Sequence, residues 1–422
     1  MAERLHRIAK YDFLLIFLYI VLIAIGWVNI YSASLDTDAT SIFDFQTIYG
    51  KQLLWIILSI PIIAFVLAID SKFYERFAGV IYVVSMLSLL GLFFFGTTIA
   101  GQKAWYSFAS FSIQPAEFTK ATTALALAKF GSDLNTNFHR FKDQLQAFAI
   151  IFIPAALILF QPDPGMAILY LAFIFPLYRE GLHFIYLFLG IFATVIFIST
   201  LVFGVIWVSL ISLLIIGTFY FVQHKRKPKP NIAKYITIFL SAVILAFSVN
   251  YIFENVFKQH HRDRFNIILG HEVDNRGIGY NTNQSEIAVG SGGLTGKGWL
   301  QGTQTKGRFV PEQHTDYIFS TVGEEWGFVG ASAVVLLFTL MIIRIVMIAE
   351  RQKSQFKRIY AYSVAAIIFF HFAINIGMVI GVSPTVGIPL PFISYGGSSL
   401  WGFTILLFIL IRLDGQRMDS GY

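Results

Sequence analysis

An all-α protein that crosses a membrane many times is what this sequence predicts, from its apolar excess, the length of its apolar runs and the placement of its charges. Of 422 residues, 56% are hydrophobic and 13% charged, against roughly 25% charged in a soluble domain. Mean hydropathy is +0.68. The 44 Phe and 19 Tyr supply bulk and interfacial anchors. With no Cys in the chain, disulfide and thiolate-metal chemistry are excluded. The net charge of +7 does not indicate nucleic acid, because the cations sit in short loops between apolar runs, where they read as a topology signal.

A spanning helix needs about 20 mostly apolar residues. Runs of that kind fall at 13–33, 52–69, 76–95, 115–130, 145–160, 165–179, 183–203, 205–222, 233–253, 327–348, 359–381 and 397–412. The first lacks a small-residue cleavage site after it and is read as a retained helix. The spans at 115–130, 145–160 and 165–179 are short enough to be tilted or broken. Residues 183–222 are twice the length of one span, with a break expected at Gly204. With both termini cytoplasmic, twelve spans keep every short basic loop inside, from Arg4, Arg7 and Lys10 to Arg412 and Arg417, and 21 of the 31 basic residues fall there. The chain is read as one integral membrane domain, 1–422, with a large extracytoplasmic loop at 254–316 and an inserted helical hairpin at 205–253.

This topology sends the unusual residues outside. In "GQKAWYSFASFSIQPAEFTK", Pro115 opens a helix and Glu117 and Lys120 fall three residues apart on one face. They form either a plain intrahelical ion pair or part of a polar cavity, since ionisable groups in a membrane helix are costly. Trp105 reads equally as an interfacial aromatic. Asp163 in "QPDPG" suits a turn without any chemistry, but belongs at the depth of the Glu117/Lys120 pair. Arg262 and Arg264, in Lys258-Gln259-His260-His261-Arg262-Asp263-Arg264, suit pyrophosphate recognition or simple juxtamembrane anchoring. The glycines of "SEIAVGSGGLTGKGWLQGTQTKGRF" need backbone freedom or close approach; they match no nucleotide-binding fingerprint. The segment "VPEQHTDYIFSTVGEEWGFVG" concentrates Glu312, His314, Asp316, Glu324 and Glu325 before a membrane helix. Asp316 is the candidate proton acceptor; as alternatives, it or Thr315 caps the following helix. The stretch "NIGMVIGVSPTVGIPLPFISYGGSSLWG" reads as re-entrant backbone, tolerated at membrane depth only under cover of protein or a water cavity.

Taken together, "GQKAWYSF…SIQPAEFTK", "QPDPG", "GSGGLTGKGWLQGTQ", "FVPEQHTDYIFSTVGEEWGFVG" and "NIGMVIGVSPTVGIPLPFISYGGSS" resemble the SEDS family (shape, elongation, division and sporulation), in family order and over nearly the whole chain. "GKGWLQGTQ" is most similar to the family's elongation branch, the RodA type. The departure is the hairpin at 205–253, added to a ten-helix core. The resemblance implies a peptidoglycan glycosyltransferase of the bacterial cytoplasmic membrane that polymerises lipid II, an undecaprenyl-pyrophosphate-linked disaccharide-pentapeptide, onto a nascent glycan strand. It implies a class B penicillin-binding protein, the crosslinking transpeptidase, as partner, within the elongation machinery. By motif, Asp316 takes the place of the family's essential aspartate; Trp105, Glu117, Lys120 and Asp163 match other motif positions, and His314 stands beside Asp316. Lys120, Arg262 and Arg264 are the expected cations for the leaving pyrophosphate. The resemblance fixes no cofactor; a divalent cation (Mg or Mn) would suit that step. The rival readings are a lipid II flippase, which needs polar groups on a path from both faces, and a noncatalytic scaffold activating the penicillin-binding protein.

Overall fold

The computed structural model describes residues 11–35, 43–99, 101–108, 111–226, 231–255, 259, 262 and 278–416. These form α1 (Phe13–Ser34), α2 (Ile48–Ala68), α3 (Ser71–Phe95), strands β1 (Thr97–Ile99), β2 (Gln102–Phe108) and β3 (Phe111–Ile113), then α4 (Pro115–Gly131) and α5 (Phe141–Phe160). Next come α6 (Pro164–Ile168), a 3-10 turn (Leu169–Phe173), α7 (Ile174–Arg179), α8 (Ile185–Arg226), α9 (Ile232–Asn255), α10 (Ile278–Ser291), α11 (Thr303–Lys306), α12 (Ile318–Glu350), α13 (Gln355–Val379) and α14 (Gly397–Gly415).

Nine helices among the described residues are long and apolar enough to cross a membrane. The difference from twelve lies in three segments. The 42-residue α8 holds two predicted spans, separated at Gly204, whose φ 80°, ψ 161° interrupts the helix; that conformation is essentially restricted to glycine. The span 165–179 is broken into α6, the 3-10 turn and α7. The third, α4, has 17 residues and is buried along nearly its whole length.

Contacts divide the chain into two compact units, 1–183 with 281–422, and 184–280. In the second, Ala242 and Ala246 of α9 are buried against Ile196 and Val208 of α8. Two alanines one turn apart let the helix axes approach closely. The segment predicted as an insertion, 205–253, lies wholly in this unit.

In the first unit, α4 packs among α3, α13 and α14. Local chemistry sets the helix starts: Asp12 accepts from Leu15 N at 3.1 Å, Thr47 caps α2, and Asp70 accepts from Lys72 N at 2.8 Å. One end of the unit carries ionic ties between helix termini. Arg344 clasps Asp12 with 3.0 Å and 2.7 Å contacts, Arg351 bridges Asp12 and Asp414, Arg358 binds Glu180, and Arg412 donates to Ile69 O at 2.7 Å. These belong to the loops predicted to lie together inside. At the opposite end, Gln313 donates to Ala33 O at 2.7 Å, Gly396 N to Gln52 at 3.1 Å, and Gln114 to Asp163 at 3.2 Å. In this unit the arginine ties and the contacts of Gln313, Gly396 and Gln114 therefore lie at opposite ends of the helices.

An antiparallel sheet in the order β1-β2-β3 was not foreseen. Tyr106 pairs with Ile113 and Phe108 with Phe111, and β3 delivers the chain to Gln114 and α4.

Candidate active site

The site lies where α4 starts, at the end opposite the ionic ties. Pro115 occupies the first turn of α4, where its missing N–H costs nothing. One turn on, Lys120 Nζ donates to Glu117 Oε2 at 2.6 Å and to His371 Nε2 at 2.9 Å. It also stands 4.4 Å from the centroid of the Phe403 ring. His371 Nδ1 lies 3.2 Å from Pro389 O; a proton there leaves the Nε2 lone pair for Lys120. Glu117 and Lys120 are each 2% exposed and His371 is fully buried. The ion pair predicted from spacing is thus real, and the ammonium is fully engaged inside protein, facing carboxylate, imidazole and aromatic ring. Gly402 permits the packing: a Cβ there would stand 2.8 Å from Glu117 O.

Asp163 serves two purposes. Its Oδ1 accepts from Met166 N at 3.1 Å, capping α6, and its Oδ2 accepts from Gln114. Burial and the nearby Glu117 carboxylate push its carboxyl up to about 6 against the pull of those bonds. Turn geometry and company with Glu117 are therefore both observed.

Asp316 precedes α12. The helix cap is Tyr317, without a side-chain capping bond, and Thr315 Oγ1 turns to Glu312 at 3.0 Å, so neither Asp316 nor Thr315 caps the helix. Its backbone is held, with Asn375 Nδ2 donating to Asp316 O and Ile388 O, both at 2.7 Å. Among the described residues nothing donates to its carboxylate. Burial, then the charges of Glu312, Asp163 and Glu117, push that carboxyl up to about 7. Its side chain is only partly exposed. Gly387, at φ +73°, lies against it; a Cβ would stand 3.3 Å from Asp316 Oδ2.

The neighbouring acids have other work. Glu324 accepts from Lys297 Nζ at 2.8 Å, Gln304 N at 2.8 Å, Thr305 N at 2.9 Å and Thr305 Oγ1 at 2.7 Å, which fixes α11. Glu325 accepts from Ser32 Oγ. The glycine-rich segment is a structural clasp. At Gly327 the helix breaks with φ 64°, ψ −160°; Phe328 N and Val329 N donate to Gly293 O and Leu294 O, while Lys297 N and Gly298 N donate to Glu324 O and Glu325 O. The groups freed by the break are thereby satisfied. A Cβ at Gly296 would stand 2.1 Å from Glu325 O, so close approach is the reason for glycine.

Of the predicted residues, Asp316, Asp163, Glu117 and Lys120 share one electrostatic neighbourhood. His314 joins the same loop, its O accepting from Tyr395 N at 2.9 Å and its ring 5.6 Å from that of Tyr395; burial lowers its pKa. Trp105 lies on β2, opposite Thr97, and makes none of the polar contacts just described. Arg262 falls in the second unit, and Arg264 lies outside the described residues. Sequence reasoning missed His371 and Asn375. Their signal was a His and an Asn four residues apart in an apolar helix, on one face. It also missed Arg308, whose charge acts on His314. Among the described residues no three His, Asp or Glu side chains converge as a ready-made metal site.

Comparison with known proteins adds the decisive observation. The profile of the cell cycle protein family FtsW/RodA/SpoVE matches residues 12–226 and 231–419. The chain belongs to this family, the SEDS proteins. It is 32% identical to the peptidoglycan glycosyltransferase MrdB of Escherichia coli over 82% of this chain and 80% of the relative. It is 29% identical to the peptidoglycan glycosyltransferase RodA of Treponema pallidum over 98% of this chain and 100% of the relative. In structure it resembles a chain of a peptidoglycan synthase complex described for coordination of polymerization and crosslinking, with TM-score 0.71 and 23% identity over 97% of this chain and 99% of that one. It also resembles the rod shape determining protein RodA of Thermus thermophilus, with TM-score 0.63 and 22% identity over 96% and 97%. The RodA-type, all-α polytopic fold expected from sequence is thus established, and this SEDS protein is an integral protein of the bacterial cytoplasmic membrane.

Proposed function

We propose that this protein is a peptidoglycan glycosyltransferase that polymerises lipid II into glycan strands during cell elongation, with Asp316 as its general base at the outer face of the membrane. The observation that carries the mechanism is the Asp316 carboxyl: partly accessible, held by its backbone, free of donors among the described residues and shifted up to about 7. A base near the working pH accepts a proton most effectively.

The 4-hydroxyl of the incoming lipid II sugar attacks the anomeric carbon of the lipid-linked strand. The new C–O bond forms as the bond from that carbon to the pyrophosphate oxygen breaks, with inversion. The hydroxyl proton passes to Asp316, and the undecaprenyl pyrophosphate leaves as an anion that needs no proton from the protein. Lys120 is enclosed by Glu117, His371 and Phe403, so it acts through its field on the acids around it. Arg308, exposed on the loop that carries His314, is the described cation best suited to meet the departing pyrophosphate. No step is assigned to a metal.

The segregation of Arg344, Arg351, Arg358 and Arg412 to the opposite end supports a cytoplasmic location for that end, because Lys and Arg concentrate on the inner side. Both termini then lie inside and the site outside. The likeness to a complex named for polymerization and crosslinking supports a class B penicillin-binding protein as partner in the elongation machinery. The test is reconstitution in vesicles with lipid II on one side, with and without that partner. Glycan polymer formed on the side facing Asp316 is expected. Translocation of lipid II with no polymer under any condition would replace this reading with a flippase.

A further inference from the structure

The end of the protein far from Asp316 carries a second feature, on the lipid-facing side of α3. A groove of about 490 Å³ is lined by Arg76, Gly79, Val80, Val83 and Val84 of α3 and by Lys129 of α4. Its floor is open because of glycine: nothing lies within 4 Å of where a Cβ of Gly79 would stand. Its walls are exposed valines; Val80 and Val84 are each 59% exposed. Arg76 and Lys129 are both exposed, and among the described residues neither makes an ion pair or a side-chain hydrogen bond.

We propose that this groove binds an anionic glycerophospholipid, its phosphate between Arg76 and Lys129 and an acyl chain along Gly79–Val84. Three features support the assignment. First, α3 has 25 residues, roughly 37 Å at 1.5 Å per residue, which exceeds the roughly 30 Å hydrocarbon core. Its start is tied to the arginine-rich end, where Arg412 bonds Ile69 O and Gln416 bonds Asp70, which places Arg76, in the second turn, near the headgroup layer; Lys129 is two residues from the end of α4 and lines the same groove. Second, two cations without acidic partners at the mouth of an apolar channel complement a phosphate joined to a hydrocarbon chain. Third, Arg76 to Val84 rises roughly 12 Å. This matches one leaflet of roughly 15 Å and fits an acyl chain, whereas a long polyprenyl chain would overrun it.

The test is native mass spectrometry of the purified full-length protein titrated with phosphatidylglycerol, phosphatidylcholine or undecaprenyl phosphate. Each cation near an anionic lipid contributes about 1 kcal/mol, so Arg76→Gln/Lys129→Gln should weaken phosphatidylglycerol binding about 30-fold and leave phosphatidylcholine unaffected. Val83→Trp, which fills the groove without changing charge, should abolish the same bound lipid. Unchanged retention in both variants overturns the proposal. So does an equal loss in Lys225→Gln/Lys234→Gln, which would reveal a net-charge effect, and so does displacement of phosphatidylglycerol by undecaprenyl phosphate.

Discussion

Removing the charge of Glu117 probes how the site is held. Lys120 has three partners: the Glu117 carboxylate at 2.6 Å, His371 Nε2 at 2.9 Å and the Phe403 face. In Glu117→Gln the ammonium keeps the imidazole and the ring but loses its counter-charge, and breaking a buried pair from one side costs about 3–5 kcal/mol. In Glu117→Gln/Lys120→Met both charges are gone. What is left is an imidazole nitrogen without its donor, costing about 1–3 kcal/mol, and a thioether able to pack on Phe403. The two substitutions are therefore non-additive, with a coupling of about 2 kcal/mol or more in favour of the double variant. Thermal unfolding in detergent, followed by aromatic fluorescence, should rank wild type above the double variant and the double variant above Glu117→Gln. If the double variant shows the sum of the single losses, the ion pair is not the organising element of this site.

His371→Gln keeps an acceptor within reach of Lys120 and should retain most polymerisation, whereas His371→Leu should lose at least tenfold; glycan yield on gels decides between them. The rate of wild type should rise with pH through about 7 as Asp316 ionises, and Asp163→Asn, which removes a charge that raises Asp316, should move that midpoint to lower pH. The stability effect has the opposite sign. The Asp316 carboxyl sits at about 7 in the folded protein against an ordinary 3.8, so the folded state binds its proton more tightly. Stability is lost as pH rises between those values, and Asp316→Asn should unfold at a higher temperature than wild type at pH 8. Gly387→Ala, at φ +73° and against Asp316 Oδ2, should lower polymerisation by tenfold or more while membrane insertion stays normal.

Much of the architecture was legible because bilayer thickness forces a run length and glycine marks the breaks. Gly204 and Gly327 interrupt helices with backbone angles that other residues avoid; Gly204 divides one long apolar run in the sequence, and Gly327 opens the run at 327–348. The acids of the site were harder to separate. Glu312, Asp316, Glu324 and Glu325 lie within fourteen positions of one another, and only tertiary contacts reveal that Glu324 fixes α11, Glu325 meets Ser32 and Asp316 has no donor among the described residues. His371 was illegible for a related reason: its meaning depends on Lys120, 251 residues away. Strands β1 and β3 have three residues each, too few for periodicity, and β2, QKAWYSF, lacks the strict apolar–polar alternation that marks a strand. The expectation that Lys120 meets the leaving pyrophosphate ignored the enclosure that a His on α13 and a Phe on α14 create around it.

The most direct measurement is single-turnover glycan synthesis from lipid II by the reconstituted protein with its class B partner, comparing wild type with Asp316→Asn at equal membrane insertion. Bond formation should fall by at least a thousandfold in the variant while lipid II binding is kept. A variant that polymerises within tenfold of wild type would show that the base lies elsewhere.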